Sequence, residues 1–384
     1  MSEFSRRNLL GAAAAGSMIA AAAATDALAQ TQPPSGPTPP VLAGKELPSF
    51  RFQLGAVTPK TWAGGWAKEA TVAEFPVSEK LAGVLMSLVP GAIRELHWHA
   101  NAAEWAYMIK GQTRVTTIDP LGHSEIVDFG PGDVWYFPRG HGHSIQSIGS
   151  EDCLFVLVFD NGYFSEFGTF SITDWLGHTS PEVLAKNFGV PVQAFANFPK
   201  REVYIAKGAV PPPLPADPAP GALNVGALTH RYRLLAQRAD SYSGGTIRLV
   251  SEREFPISTT MTGAILRIKP GGLRELHWHP NADEWQYFLA GRARMGVFGS
   301  HGRARTEEMN AGDVGYVPQG YGHYIENAGS DDLEVVIVLN NGAYQSISLS
   351  AWMAANPRLL LATNFEVPES TFANFPTREK FMPG

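Results

Sequence analysis

From about Phe50 onward the apolar residues come in short runs broken by glycine, proline and aspartate. Leu81–Val89 alternates loosely. Trp105–Ile109, Thr113–Ile118, Val134–Phe137 and Leu154–Phe159 are rich in β-branched and aromatic side chains. Short runs of this kind, punctuated by turns at near-regular spacing, predict strands of a β-sandwich or barrel. Helical signals are sparse and come late. Ser180-Pro181-Glu182-Val183-Leu184 joins a serine cap to a first-turn proline and an early acid, and Ser350–Ala354 offers a second short helix.

The pattern occurs twice. Pro90-Gly91-Ala92-Ile93-Arg94-Glu95-Leu96-His97-Trp98-His99 returns as Pro270-Gly271-Gly272-Leu273-Arg274-Glu275-Leu276-His277-Trp278-His279, an offset of 180 residues. Glu104-Trp105, Gly132-Asp133-Val134 and His143 recur at the same offset as Glu284-Trp285, Gly312-Asp313-Val314 and His323. Later the offset slips to 177, matching Trp175 to Trp352 and Phe195–Pro199 to Phe372–Pro376. A fixed long period of this kind means tandem domains of one fold. We place them at 49–208 and 223–384, joined by a proline-rich linker at 209–222 and preceded by a proline-rich arm at 30–48.

Composition narrows the class. Gly 39 and Pro 29 without a collagen period suit a turn-rich all-β chain. A single cysteine, Cys153, excludes an intrachain disulfide framework and any multi-thiolate metal site. With 30 basic against 36 acidic residues the net charge is −6, which gives no footing for nucleic acid. The first residues read as an address. Arg6-Arg7, the uncharged stretch Leu9–Ala24 and Ala27-Leu28-Ala29 predict a twin-arginine export signal over 1–29, hence a periplasmic or secreted protein. That stretch of 16 residues is short of the roughly 20 that cross a bilayer.

His97 and His99, two apart in a strand, point to one face, with Trp98 on the other. Glu104 opens the next strand, and His143 follows a later turn. A closed barrel can gather these four around one interior point, and the second repeat supplies His277, His279, Glu284 and His323 in matching places. Six of the chain's eleven histidines occupy these positions, which separates them from ordinary barrel histidines. Three imidazoles and one carboxylate suit Mn, Fe, Co, Ni or Zn, and leave positions open on a six-coordinate ion. His123, His141, His178, His230 and His301 have no such partners.

These spacings carry a resemblance. Gly91, His97, His99, Glu104 and Gly111 fall at the intervals of the first cupin motif. Gly132, Pro138, Gly140 and His143 follow the second, with Ser147 in place of its final asparagine. In the second repeat Gly312, Pro318, Gly320, His323 and Asn327 match it in full. The chain resembles a bicupin, two jelly-roll barrels in tandem, and its wording resembles the oxalate decarboxylases from about Phe50 to the C-terminus. The resemblance implies two manganese ions per chain, dioxygen as co-catalyst, oxalate or a similar small dicarboxylate as substrate, formate and carbon dioxide as products, and a homotrimer or hexamer.

It further implies that Arg94, and in the second repeat Arg274, lie in the pocket and bind the substrate carboxylate. Three residues from the first histidine is odd spacing, however, which sets the arginine on the opposite strand face unless the preceding Pro-Gly bends the chain. By resemblance the proton shuttle sits on a lid that reads Ser-Glu-Asn-Ser-Thr in typical members. Here Ser165-Glu166-Phe167-Gly168-Thr169 keeps the acid, Glu166, and replaces the two residues after it. Decarboxylation, with Glu166 and Arg94 as the catalytic pair, is the leading expectation. Oxidation of oxalate to carbon dioxide and hydrogen peroxide is the second, and a non-catalytic metal-binding bicupin the third. The matching loop Asn340–Ile347 carries no carboxylate, Ile337 holds the place of a family glutamate, and Glu334 falls on the wrong face. The second site is therefore expected to bind metal and contribute little chemistry.

Overall fold

The computed structural model describes residues 46–215 and 228–384; the leader at 1–29, the arm up to residue 45, the linker from residue 216 on and the start of the second repeat up to residue 227 lie outside the described residues. Each repeat folds into two facing antiparallel sheets. In the first, one sheet runs in the order Val134–Phe137, Glu104–Lys110, Cys153–Phe159, Ala82–Leu88, Gly65–Ala70, Lys60–Trp62. The opposing sheet runs Phe170–Ser171, Ile93–Trp98, Gly142–Ser147, Thr113–Ile118, Ser124–Phe129. The second repeat reproduces both, giving the expected pair of jelly-roll barrels. The helices are short and late, as the sequence predicts: Pro181–Phe188 begins at Ser180, and Leu349–Ala354 covers the second signal. Two others, Ile172–Gly177 and Arg358–Phe365, were not predicted; the first carries a serine cap, Ser171, whose hydroxyl accepts the Asp174 amide at 3.1 Å, and the second has no side-chain cap.

Among the described residues three large apolar cores hold the molecule, beside a small cluster of Leu361, Ala362 and Phe372 in the last helical segment. Two fill the barrels, and the third lies between them. The strand Ala82–Leu88 shows why its alternation looked loose. Val84, Met86 and Leu88 fill the first barrel, while Leu85 faces the second, so all seven residues are buried. A strand covered on both faces has no polar face to display.

The interface between barrels is reciprocal. Trp105 lies against Gly263 and Trp285 against Gly83, so that a Cβ at either glycine would fall 2.0 or 2.1 Å from the facing indole. The repeats also exchange their leading strands. Arg51–Phe52 pairs with Val314–Val317 of the second barrel, and Arg231–Tyr232 pairs with Val134–Phe137 of the first. Each sheet is thus completed by a segment from the other repeat, so the two barrels are coupled by backbone ladders as well as by apolar packing.

Gly83→Ala or Gly263→Ala forces a methyl into an indole ring, and overpacking of a tight core costs about 1–3 kcal/mol. Gly130, where an added Cβ meets nothing within 4 Å, is the control. Chemical denaturation is expected to show a loss of that size for either interface variant and a change within about 0.5 kcal/mol for Gly130→Ala.

Candidate metal centres and active site

The strand Ile93–Trp98 delivers His97 into the first barrel, and the turn after it delivers His99; Glu104 opens the next strand, and His143 comes from Gly142–Ser147. All four are buried, and one ligand atom from each falls within 4.8 Å of the others. Backbone carbonyls fix the rings. His97 Nδ1 meets the Glu95 carbonyl at 2.6 Å, and His143 Nδ1 meets the His141 carbonyl at 2.9 Å. These contacts select the tautomer with hydrogen on Nδ1, which leaves the Nε2 lone pair facing inward. The Nε2 atoms of His97 and His143 have no hydrogen-bond partner. His143 is further wedged on Phe137, with ring centroids 4.1 Å apart.

Glu104 is oriented from behind by the Trp135 indole, whose N–H donates to Oε1 at 2.7 Å; its Oε2 lies 2.8 Å from His99 Nε2 and 3.4 Å from His143 Nε2. Burial alone would raise its pKa, but the His143 and His99 rings beside it hold this carboxyl well below the usual range. Burial, reinforced by the Arg94 charge, pushes His97 well below the ordinary histidine value. The donor set is therefore imidazole nitrogen plus carboxylate oxygen, with the unpartnered Nε2 atoms of His97 and His143 facing the same compartment. That is the state a divalent ion requires of its ligands, and the four residues fit one.

The second barrel repeats the arrangement with a different brace. His277, His279, Glu284 and His323 converge equally closely. Glu284 is held by Gln286 at 2.6 Å, and Gly315, standing where the first barrel has Trp135, leaves the room that Gln286 fills. Trp135 and Gln286 belong to these centres yet lie outside any motif, and only their burial beside the acids reveals them.

Arg94 does enter the pocket, and a β-bulge is the reason. Pairing with the adjacent strand runs His97↔His143 and then Arg94↔Ile145, so three residues on one strand oppose two on the other. The extra residue restores a common face to positions of odd spacing. Arg274 and His277 pass through the same irregularity against His323 and Ile325. A bend at the preceding Pro-Gly is therefore not what reorients them. Glu95 and Glu275 do not pair with the arginines. Glu95 accepts the Val203 and Tyr204 amides, and Glu275 accepts the Ser350 and Phe381 amides.

Arg94 is fully buried. Its Nε donates to Glu166 Oε1 at 2.9 Å and its Nη2 to Thr169 Oγ1 at 2.7 Å, while its guanidinium lies 3.9 Å from the Tyr204 ring centroid. Glu166 itself is buried, with Oε1 3.7 Å from His97 Nε2 and Oε2 3.9 Å from His99 Nε2. Its Oε2 has no hydrogen-bond partner. Burial raises the Glu166 pKa, and Arg94 offsets part of that rise. A cleft of about 330 Å³, lined in part by Trp98, His99, Phe164, Ser165, Thr169 and Phe170, leads to this cluster along the lid segment.

Among the described residues no carboxylate pairs with Arg274. Its Nη2 donates to Ser346 at 3.1 Å and its Nη1 to the Phe381 carbonyl at 3.3 Å, with the guanidinium 3.9 Å from the Phe381 ring. Glu334 points away and pairs with Arg267, as the strand period predicts. The slip in repeat offset has its cause here. Asp160 matches Asn340 at 180 residues, but Ser171 matches Ser348 at 177, so the loop of the first barrel holds three more residues, and Glu166 stands among the additions. His230, which has no match in the other repeat, is buried beside Phe137, and its Nδ1 lies 2.8 Å from Glu125 Oε2.

Comparison with known proteins agrees with this architecture. The cupin family matches residues 56–194 and 232–371. Oxalate decarboxylase OxdC of Bacillus subtilis is 44% identical over 349 residues, covering 91% of this chain and 90% of that protein. A probable oxalate decarboxylase of Arthroderma benhamiae is 36% identical, covering 84% and 80%. A solved structure of the Bacillus subtilis enzyme, from work on its Mn(II) centres, superposes with a TM-score of 0.84 at 42% identity, covering 88% of this chain and 89% of that one. Two matched cupin domains and this extent of identity place the chain in the bicupin oxalate decarboxylase family.

Proposed function

We propose that the protein is a manganese-dependent oxalate decarboxylase that does its chemistry mainly in the first barrel. The observation that carries this is the position of Glu166, an acid beside the His97 and His99 ligand nitrogens and on the Nε of Arg94. In the net reaction hydrogen oxalate becomes formate and carbon dioxide. The C–C bond breaks, and the carbon that leaves as formate gains a proton. Manganese on His97, His99, Glu104 and His143 supplies an accessible one-electron couple and open positions for an anion, and dioxygen is the co-catalyst.

The residues of this chain supply the rest. Arg94, fixed at both ends of its fork, orients a substrate carboxylate and stabilises negative charge as it builds on the carbon. Glu166 holds and delivers the proton; its burial favours the protonated form, which a donor needs. Phe164, against His99 at 4.9 Å between centroids, and Phe159 line the pocket with apolar surface that limits water. Decarboxylation requires the proton to arrive before oxygen captures the reduced carbon, so a closed acid favours formate over peroxide. Arg274, Ser346 and Tyr344 give the second barrel an anion-binding corner with no proton donor, in keeping with a metal site that contributes little turnover.

Two further readings belong here. The leader at 1–29 is an export signal that delivers a folded protein to the periplasm or beyond. The exposed apolar residues Trp175, Phe188, Trp352, Leu359 and Phe365 on the helical segments support assembly into a trimer or hexamer. Arg6→Lys with Arg7→Lys is expected to retain the protein in the cytoplasm, measured by cell fractionation; unchanged export counts against the leader.

Glu166→Ala is expected to lower formate production at least about 100-fold, the usual contribution of a positioned general acid, while bound metal stays at the wild-type level. Retained formate removes Glu166 from the mechanism, and peroxide from the wild-type protein in place of formate favours the oxidase reading. Elemental analysis after chelation and reloading with manganese is expected to give two ions per chain. His97→Ala is expected to lose one ion and the activity. His277→Ala is expected to lose one ion and keep most of the activity.

A further inference from the structure

We propose that Phe167, which stands where typical family lids carry asparagine, is a positioning residue: seated in a slot formed by Lys60, Trp62 and Tyr204, its ring holds Glu166 on Arg94. The proposal rests on the assignment of Glu166 as proton donor and explains how this particular lid keeps that acid in place.

The lid segment has little else to hold it. Ser165 and Gly168 are exposed, and an added Cβ at Gly168 would meet nothing within 4 Å. Two aromatic anchors flank the acid. Phe164 points into the barrel against Phe159 and His99. Phe167 points the other way. Lys60 Nζ stands 3.6 Å from its ring centroid, and the centroids of Trp62 and Tyr204 are 6.1 and 5.9 Å away. Between the anchors, the Glu166 amide donates to Glu69 Oε1 at 2.8 Å.

The slot and the pocket share a wall. Tyr204 stacks on Trp62 at 4.2 Å between centroids and carries the Arg94 guanidinium 3.9 Å from its own ring. Its backbone is held at φ 63°, in the left-handed region, with its carbonyl and amide both hydrogen-bonded: the carbonyl accepts the Glu95 amide, and the amide donates to Glu95 Oε1. One side chain thus fixes the arginine from one side and receives the lid from the other. Docking Phe167 and pairing Glu166 with Arg94 are consequently one motion.

The second barrel keeps the wall but not the latch: Phe381 stacks on Tyr242 at 4.7 Å between centroids and carries the Arg274 guanidinium 3.9 Å from its own ring. Asp240 stands in the position of Lys60, where a negative charge would face an electron-rich ring, and the aromatic residue of the shorter loop, Tyr344, lies against His279 at 5.6 Å between centroids, with its hydroxyl 3.5 Å from Arg274 Nη2. The latch and the acid occur together in the first barrel and are missing together from the second.

The test combines hydrogen exchange with steady-state kinetics on the full-length manganese-loaded protein and on the metal-free protein. Phe167→Ala removes the aromatic contacts and the cation–π contact together, worth roughly tenfold in the closing equilibrium. It is expected to speed exchange of the peptide covering residues 163–170 about tenfold in both forms. Metal content should stay at the wild-type level, and kcat for formate should fall about tenfold with KM within about twofold. Phe167→Trp is expected to restore slow exchange and kcat. Lys60→Met, which keeps the apolar slot, is expected to speed the same exchange two- to threefold. Unchanged exchange in Phe167→Ala overturns the latch, as does faster exchange with unchanged kcat, or failure of tryptophan to rescue. The exchange readout does not depend on turnover, so a loosened lid in a protein that makes no formate from oxalate defeats the proposed function and leaves the latch standing.

Discussion

The constraint that orders this molecule is the burial of three imidazoles and a carboxylate around one point in each barrel. Polar groups so deep must find partners. Here the outer nitrogens of His97 and His143 are satisfied by backbone carbonyls, while their inner nitrogens are left facing each other's neighbours with no partner in the protein. Carbonyls in those positions require the strands to run where they do, with the bulge between Arg94 and His97 and the turn before His143. The site and the barrel are therefore not separable designs. The strand irregularity that places Arg94 is also what lets it share a compartment with His97, one residue before the strand ends at Trp98.

Duplication then sets up a comparison inside one chain. Both barrels keep the four ligands and the buried arginine, and they differ in what surrounds them. Trp135 braces Glu104, whereas Gln286 braces Glu284; a glutamate meets Arg94, whereas a serine meets Arg274. The first difference traces to strand positions, where Gly315 stands in place of Trp135 and Gln286 in place of Ala106, and the second to three additional residues in one loop. An insertion at a strand-to-helix connection leaves the ladders intact, which is why the fold tolerates it and why function can diverge there. The strand exchange between repeats and the reciprocal Trp–Gly contacts hold the two compartments in one rigid frame, so divergence in a loop does not loosen either metal centre.

Much of this is legible in the sequence because the strongest signals are discrete. Strand bounds came from runs of β-branched and aromatic residues between turn residues: Thr113–Ile118 and Val134–Phe137 agree to the residue. The ligands came from a spacing repeated at 180. What the period could not give was the face of Arg94, because a bulge inserts one residue without leaving a sequence mark. Partners separated by long stretches of chain were equally hidden. Tyr204 reaches Arg94 across 110 residues, and Arg231 pairs beside Trp135 through an exchange of strands that no local pattern encodes. Trp135 looked like a core tryptophan, which it is; that its indole N–H also orients a ligand depends on the third dimension. The lid departure at Phe167 and Gly168 was visible as a substitution, while its meaning depended on a slot built from Lys60 and Trp62, about a hundred residues earlier.

The Arg94 fork gives the lid its logic. A buried guanidinium stripped of its carboxylate costs about 3–5 kcal/mol, because the charge is left uncompensated. Glu166 meets that requirement when the lid is closed. An incoming dicarboxylate meets it as well, so exchanging one carboxylate for the other leaves the charge count in the pocket unchanged, whereas opening the lid with nothing bound does not. On the proposed function, Arg94 ties release of Glu166 to arrival of the substrate: Glu166 gives up Arg94 as a carboxylate, takes the proton that hydrogen oxalate brings, and holds it beside the carbon that becomes formate. In the second barrel Arg274 is left with neutral oxygens from Ser346, Tyr344 and the Phe381 carbonyl. It can hold an anion without displacing anything, and for the same reason it has no acid to hand over.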